Sequence, residues 1–215
     1  MERSPHNAYK NKEGTPPMTT PTKALNLGCG KVLKMPGDDG FDEWVNSDLR
    51  DLQGVNRRFN AFVFPWPCED EEFNHLYISH LVEHIPHTIR EYKEWSINKD
   101  KLEPNWDEDG FFIFFRECHR ILKPEGTIEL IGPYARSNGA DQDPTHTRYI
   151  NEATFSYLWQ ASPTFDYQLG YKFNQLDFSC MANEGWETGK PDLVQLASVS
   201  FWNVFHSFRT ILQKA

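Results

Sequence analysis

Apolar residues fall in short runs separated by turn formers. Lys23-Ala24-Leu25-Asn26-Leu27 has the length of a buried strand and stops at Gly28-Cys29-Gly30. Trp44-Val45-Asn46-Ser47-Asp48 predicts a second strand. Between them, KVLKMPGDDGFDE is broken by Pro36, Gly37 and Gly40, so this connection should be short and irregular. Further strands are expected at Phe59–Phe64 and His75–Ser79, on either side of Pro65-Trp66-Pro67. Leu81–Ile85 fits one helical turn before Pro86. Phe111 to Leu122 has helical spacing, with Phe112, Phe115, Cys118, His119 and Leu122 available for one face. Lys123-Pro124-Glu125-Gly126 stops that helix, because Pro cannot continue it and Gly takes the turn. A strand at Thr127–Ile131, a polar loop (ARSNGADQDPTHTR), a helix at Glu152–Gln160 and two or three strands, including Val199–Val204, complete the chain.

Alternating strands and helices predict an α/β fold: a Rossmann-like, doubly wound, mostly parallel sheet. Residues 1–22 are polar and rich in Pro, Thr and Lys, and are expected to be a disordered tail. Residues 23–215 are expected to form one domain, with an insertion at about 87–109 that is charged and carries Tyr92, Trp95 and Trp106.

Composition narrows the functional classes. The 215 residues carry 22 basic and 31 acidic side chains, a net charge of -9, so duplex nucleic acid is not an expected partner. No apolar run approaches the roughly 18 residues of a membrane helix, and the N-terminus lacks a signal-peptide core, so no membrane association is expected. Cys29, Cys68, Cys118 and Cys180 form no CxxC pair or zinc spacing, which suggests free thiols in a reducing cytoplasm.

The glycine turn invites a nucleotide reading. A dinucleotide fingerprint needs G-x-G-x-x-G, and here the third position is Leu33. A P-loop also fails, since no Gly-Lys-Ser/Thr follows. A cofactor without a pyrophosphate asks for less: small residues at the strand end and a carboxylate for its ribose. Asp48 follows Gly30 by 18 residues, at the end of the expected second strand.

Two histidine groups compete for the chemistry. In His80-Leu81-Val82-Glu83-His84-Ile85-Pro86-His87, His80 and His84 would share a helical face. Pro86 breaks that helix before His87, and a metal needs three or four converging ligands, so no metal is expected. In Asp143-Pro144-Thr145-His146-Thr147-Arg148, His146 can serve as a general base oriented by Asp143, and Arg148 can hold an anionic substrate group. The same residues have structural uses: Asp143 as a turn cap, His146 bonded to backbone, Arg148 paired with an acid. Trp66, Tyr134 and Trp159 suit either a substrate pocket or the core.

FNAFVFPWPCEDEEFNHLYISHLVEHIP resembles the middle motifs of class I S-adenosylmethionine-dependent methyltransferases, and more narrowly of small methyltransferase-domain proteins. FFRECHRILKPEGTIELIGPY is similar to their RxLKPxG helix and following strand, and DPTHTRYINEATFSYL to a further segment. The resemblance covers roughly residues 23–160. It implies a seven-stranded sheet with an antiparallel final strand, and S-adenosylmethionine as cofactor with S-adenosylhomocysteine as product. It implies that Asn26, Gly28, Cys29 and Gly30 lie at the methionine part, Asp48 at the ribose and Asn60 near the adenine. Ser79, His80 and Leu81 would line the floor below the transferred methyl, with Tyr134 and Arg148 toward the substrate.

The function expected from these features is methyl transfer to an O or N nucleophile of a small molecule or glycan. DNA amino-methylation is disfavoured, because Ser79-His80-Leu81-Val82 stands where those enzymes carry a Pro-Pro motif. The alternative is an inactive binding or assembly protein with the same fold. Asn60, Asn74 and Lys31, which replace the usual Asp, Asp and small residue, together with the reduced first crossover, are its basis. The C-terminal strands leave a homodimer open.

Overall fold

A computed structural model describes residues 21–87, 109–159, 169–183 and 202–215. Nearly all of the expected N-terminal tail and insertion lie outside the described residues, as do residues 199–201 of the expected Val199–Val204 strand. Seven strands form one sheet: β1 (Lys23–Leu27), β2 (Glu43–Asp48), β3 (Arg57–Arg58), β4 (Phe73–Ser79), β5 (Leu122–Pro133), β6 (Phe173–Ala182) and β7 (Phe205–Lys214). Their spatial order is β3-β2-β1-β4-β5-β7-β6. The first five are parallel, and β7 runs antiparallel to both β5 and β6. The α/β class, the mostly parallel sheet and the antiparallel final strand are therefore as expected. β1 has β2 on one side and β4 on the other, so the winding reverses there. This switch point lies at the carboxyl ends of β1 and β4, where α/β sheets have their ligand-binding crevice.

β4 and β7 largely alternate buried and less buried positions, whereas β1 and β2 are buried along almost their whole length. Leu25, Leu76, Ile128 and Leu212 are register partners across β1, β4, β5 and β7, and all are fully buried. Helix α1 (Gly110–Ile121) shares their core through Phe111, Phe114, Phe115, Cys118 and Ile121. This stripe differs from the expected one. Phe115 and Cys118 are common to both, but Phe111 and Phe114 turn inward while Phe112 packs at the margin. The Asp109 side chain caps the helix by accepting the Phe111 N–H at 2.8 Å.

The opposite face is polar under β1, β2 and β4. Asn26 pairs in register with Asn46 and with Tyr77. The β1–β2 crossover contains only a 3-10 turn at Asp38–Gly40, as expected from its Pro and Gly content. Side-chain amides replace the missing helix. Asn26 Nδ2 donates to Val32 O (2.8 Å) and to Asn46 Oδ1 (2.9 Å). Asn46 accepts the Lys34 N–H and returns a bond to Lys34 O. Lys34 Nζ sits 4.4 Å above the Tyr77 ring and pairs with Asp39 at 2.7 Å. Phe41 stacks on His75, which burial holds down to about 4 and therefore neutral at pH 7.

The Pro65-Trp66-Pro67 turn is clamped on α1. Trp66 is buried edge-on against Phe114. Glu117 Oε1 accepts the Trp66 N–H at 2.7 Å and the Arg120 Nη2 at 2.6 Å. Arg120 in turn donates to Cys68 O and Asp70 Oδ1.

Three sequence expectations differ from the structure. Phe59–Phe64 is a turn rather than a strand; pairing stops at Arg58, and Asn60 Oδ1 then accepts the Phe62 N–H. The helix expected at Glu152–Gln160 is a 3-10 segment, Thr154–Leu158, started by Asn151 and Thr154 side-chain bonds. Residues 202–204 form bends before β7.

Glu117→Ala strands the buried Trp66 N–H and removes one of the two carboxylates paired with Arg120, leaving Asp70. The substitution should cost about 3 kcal/mol, read as a lower urea midpoint at unchanged slope. A midpoint within 0.5 kcal/mol-equivalent of wild type, roughly the scatter of surface substitutions, would show that the clamp contributes little.

Candidate active site

The glycine turn is fixed from two sides. The Cys29 N–H donates to Ser47 O (2.8 Å) and the Gly30 N–H to Asp48 Oδ2 (2.9 Å), tying the end of β1 to the end of β2. Gly28 and Gly30 both have positive φ, 69° and 55°. A Cβ on Gly28 would lie 3.1 Å from Leu81 Cδ2, so the residues after β4 press directly on the turn. Gly28, Cys29, Gly30, Asp48 and Leu81 thus converge at the crevice. Asn26 does not: its Nδ2 is committed beneath the turn to Val32 and Asn46, so it positions the crossover.

Asp48 is buried and strongly bonded. Its Oδ1 accepts the Arg50 N–H (2.8 Å) and Nε (2.9 Å); its Oδ2 accepts Gly30 N–H and Arg50 Nη2 (3.1 Å). The Arg50 fork is the main reason its pKa is lowered to about 2. A ribose diol can take both carboxylate oxygens only if the fork leaves. Arg50 is 64% exposed, so its release costs little, and the carboxylate, glycine turn and Leu81 roof then fit an aminoacyl nucleoside. Asn60 follows β3 at the same sheet end; its Oδ1 holds the turn. Asn74, by contrast, sits at the start of β4 and accepts from Lys23 N–H and Lys123 Nζ. The exchange of Asp for Asn there concerns the other end of the sheet.

A second polar cluster lies beyond β4. His80 adopts a positive φ of 52°, and its N–H donates to Ile131 O at 2.8 Å, anchoring it to β5. The next residues turn into a 3-10 segment, Val82–His84. The Asp143–Arg148 loop zips onto this turn. Thr147 and Arg148 N–H both donate to Glu83 O, Thr147 Oγ1 donates to Ile85 O (2.7 Å), and Arg148 donates to Ile85 O, Pro86 O and Asp109 Oδ1. The Arg148 guanidinium is therefore occupied structurally, although it also borders a cavity of about 480 Å³ with Phe111, Thr154 and Tyr157. Tyr134 is buried, and its hydroxyl donates to Glu152 Oε2 at 2.9 Å. The Trp159-lined cavity of about 520 Å³ on β6 shares no residue with the crevice.

The expected catalytic pair is rearranged. His146 Nδ1 lies 2.9 Å from Ala140 O, so the ring is oriented by a backbone carbonyl. Asp143 instead caps its own turn, its Oδ1 accepting Thr145 N–H (2.8 Å) and Oγ1 (2.7 Å), while its Oδ2 stands 3.9 Å from His146 Nε2. Facing His146 is Glu83, 1% exposed. Its Oε1 is 4.0 Å from His146 Nε2 and 3.3 Å from His80 Nδ1. The His80 contact raises the histidine's pKa but falls short of hydrogen-bond geometry, and neither Glu83 oxygen has a donor. Glu83 falls in the helical turn expected at Leu81–Ile85, and a partner 63 residues downstream leaves no local signal. Arg50 was more accessible in the sequence, two residues from Asp48.

No protein-family model matches the sequence, and no curated protein matches it. Solved structures do. A SAM-dependent methyltransferase from Archaeoglobus fulgidus superposes with a TM-score of 0.58 at 16% identity, over 90% of this chain and 86% of the other. A methyltransferase of the same dependence from Mesorhizobium loti gives 0.51 at 12% identity, over 90% and 91%. The [4+2]-cyclase SpnF gives 0.50 at 14%, over 92% and 76%. The chain has the S-adenosylmethionine-dependent methyltransferase fold. The cyclase shows that this fold also carries other chemistry, so activity has to be argued from the site.

Arg148→Lys keeps the charge and removes the fork that joins Ile85, Pro86 and Asp109. It should lower stability by about 2 kcal/mol in thermal or urea unfolding. An unchanged midpoint would mean the backbone bonds to Glu83 O suffice to join the two segments.

Proposed function

We propose that the chain is an S-adenosylmethionine-dependent methyltransferase acting on an O or N nucleophile of a small molecule or glycan. The carrying observation is Asp48: a buried, ionised carboxylate ends β2, bonded to the glycine turn and closed by a displaceable arginine. Gly28, Cys29 and Gly30 would pass under the methionine part, Asp48 would hold the ribose hydroxyls, and Asn60 would face the adenine. Ser79, His80 and Leu81 would floor the reacting end. When bound, the sulfonium supplies a methyl carbon already attached to a good leaving group, so alignment contributes much of the rate.

The acceptor would approach from the Glu83–His146 side. With Nδ1 directed at Ala140 O, His146 carries its proton there and keeps the Nε2 lone pair free. That atom, beside the Glu83 carboxylate, can receive the proton an attacking hydroxyl or amine gives up. The net charge of -9 disfavours duplex nucleic acid as the acceptor. Among the described residues no helix is long and apolar enough to cross a membrane, and the four cysteines are free, in keeping with a reducing cytoplasm.

Calorimetric titration with S-adenosylmethionine and S-adenosylhomocysteine tests this reading. Wild type should bind in the micromolar range, Asp48→Ala should lose binding by 100-fold or more, roughly the removal of two charged hydrogen bonds, and Arg50→Ala should bind as well as or better than wild type. Asp48 stays ionised from pH 5 to 8, so affinity should not fall across that window through this group. Folded wild type that binds neither ligand would refute the assignment.

A further inference from the structure

Glu83 is a buried carboxylate with no hydrogen-bond donor on either oxygen, which is costly unless something positive meets it. The nearest charged candidate is His80, 3.3 Å away, but its side chain is 61% exposed and its geometry does not make a hydrogen bond. Three side chains converge where the carboxylate points. Ligating atoms of Glu83, His84 and His146 all lie within 4.8 Å of one another. The His84 and His146 rings meet edge to face at 4.7 Å between centroids.

Both imidazoles are set to offer the same nitrogen. His146 Nδ1 faces Ala140 O at 2.9 Å, so Nδ1 carries the hydrogen and Nε2 is the lone pair. His84 Nδ1 faces Thr145 Oγ1 at 3.1 Å and Thr145 O at 3.4 Å. The Thr145 hydroxyl already donates to Asp143 Oδ1, so toward His84 it can only accept. His84 Nδ1 therefore also carries the hydrogen, leaving Nε2 free. A backbone carbonyl on one ring and a carboxylate-anchored hydroxyl on the other form the outer support typical of histidine metal ligands. Two neutral imidazoles and one carboxylate, with open coordination positions, suit a divalent first-row transition ion.

We infer that Glu83, His84 and His146 form a binding site for one divalent first-row transition metal ion, on the acceptor side of the glycine-turn crevice. Ligand distances of about 2.1 Å would draw the three atoms together by roughly an ångström, from the 4.0 Å now separating Glu83 Oε1 and His146 Nε2. Gly132, at the end of β5, leaves room: a Cβ there would stand 3.4 Å from Glu83 Oε2. This inference rests on the methyl-transfer reading only for its role. In that role the ion would replace His146 as activating group. It would bind an oxygen of the acceptor, lower the hydroxyl's pKa and let its proton pass to water, favouring oxygen over nitrogen acceptors.

Tag-free protein titrated with Co²⁺ provides the test, since bound cobalt absorbs in the visible and needs no turnover. Wild type should bind one equivalent, with the absorption of a nitrogen–oxygen site and a raised melting temperature. His84→Ala and Glu83→Gln should weaken binding at least about 100-fold, as loss of a direct ligand exceeds the 10–100-fold of a supporting group. Glu83→Gln should also melt higher than metal-free wild type, because it removes an unpaired buried charge. His84 is half-exposed, so its alanine variant should fold even if the Glu83 variant does not. Absence of cobalt binding by folded wild type, or binding equal in wild type and His84→Ala, would overturn the site. S-adenosylhomocysteine binding measured on the same samples separates the two proposals: cofactor without cobalt sinks only the metal, and cobalt without cofactor sinks only the methyl-transfer reading.

Discussion

Glu83 O accepts the Thr147 and Arg148 N–H groups, and the candidate site depends on that junction. It joins a turn that follows β4 to a loop that follows β5, more than sixty residues later. It fixes the loop that carries His146 against Glu83, together with the His84–Thr145 contact. The junction is reinforced from both ends by Thr147 Oγ1 on Ile85 O and by the Arg148 fork reaching Asp109. Asp109 also caps α1, so the loop that carries His146 is tied to the helix that fills the apolar face of the sheet. The candidate site and the core packing therefore share residues, and Arg148 is the clearest case.

The other half of the crevice is built by a different device. A helix between β1 and β2 would satisfy its own backbone. The Pro- and Gly-broken crossover cannot, so Asn26 and Asn46 answer Val32 and Lys34 with side-chain amides. Each amide offers two donors and an acceptor in one plane, which suits an irregular chain with unpaired groups. This explains why two asparagines occupy buried register positions in β1 and β2. The arrangement holds the glycine turn against Asp48 without a long element behind it.

Much of the fold was legible in the sequence, because strand length and turn residues are local properties. β1 was read with its observed bounds, and the failure of a helix between Gly30 and Trp44 followed from Pro36, Gly37 and Gly40. The strand expected at Phe59–Phe64 failed for a non-local reason: β2 ends at Asp48, which leaves only Arg57 and Arg58 a partner. The face of α1 was missed by one position, because four phenylalanines and Ile113 among its first residues give more than one apolar stripe. Within the candidate site, the spacing of Gly28, Gly30 and Asp48 anticipates that the ends of β1 and β2 meet, as the Gly30–Asp48 bond shows. Asp143 and His146 were found as a loop, but the geometry gives the orienting bond to Ala140 O, and a backbone carbonyl leaves no trace in sequence. Glu83 was hidden for a similar reason. Its isolation from donors is a property of burial, and only three-dimensional contact reveals it.

Fold likeness narrows chemistry less than these particular atoms do. A similar fold occurs in a [4+2]-cyclase, so the fold alone cannot select a reaction. A carboxylate kept inside the protein with no donor is more informative. Burying such a charge costs several kcal/mol, comparable to much of a domain's net stability. If packing alone were at stake, an apolar side chain of similar size would cost less. His80 offers partial relief from a largely exposed ring, which leaves the charge available on the side facing His84 and His146. The protein thus brings a buried carboxylate and two imidazoles together, next to the turn on which Leu81 packs. Such an arrangement stabilises positive charge, whether a proton leaving an acceptor or an ion that displaces that proton. Glu83 and His146 serve in both roles, and His84 is needed only for the ion.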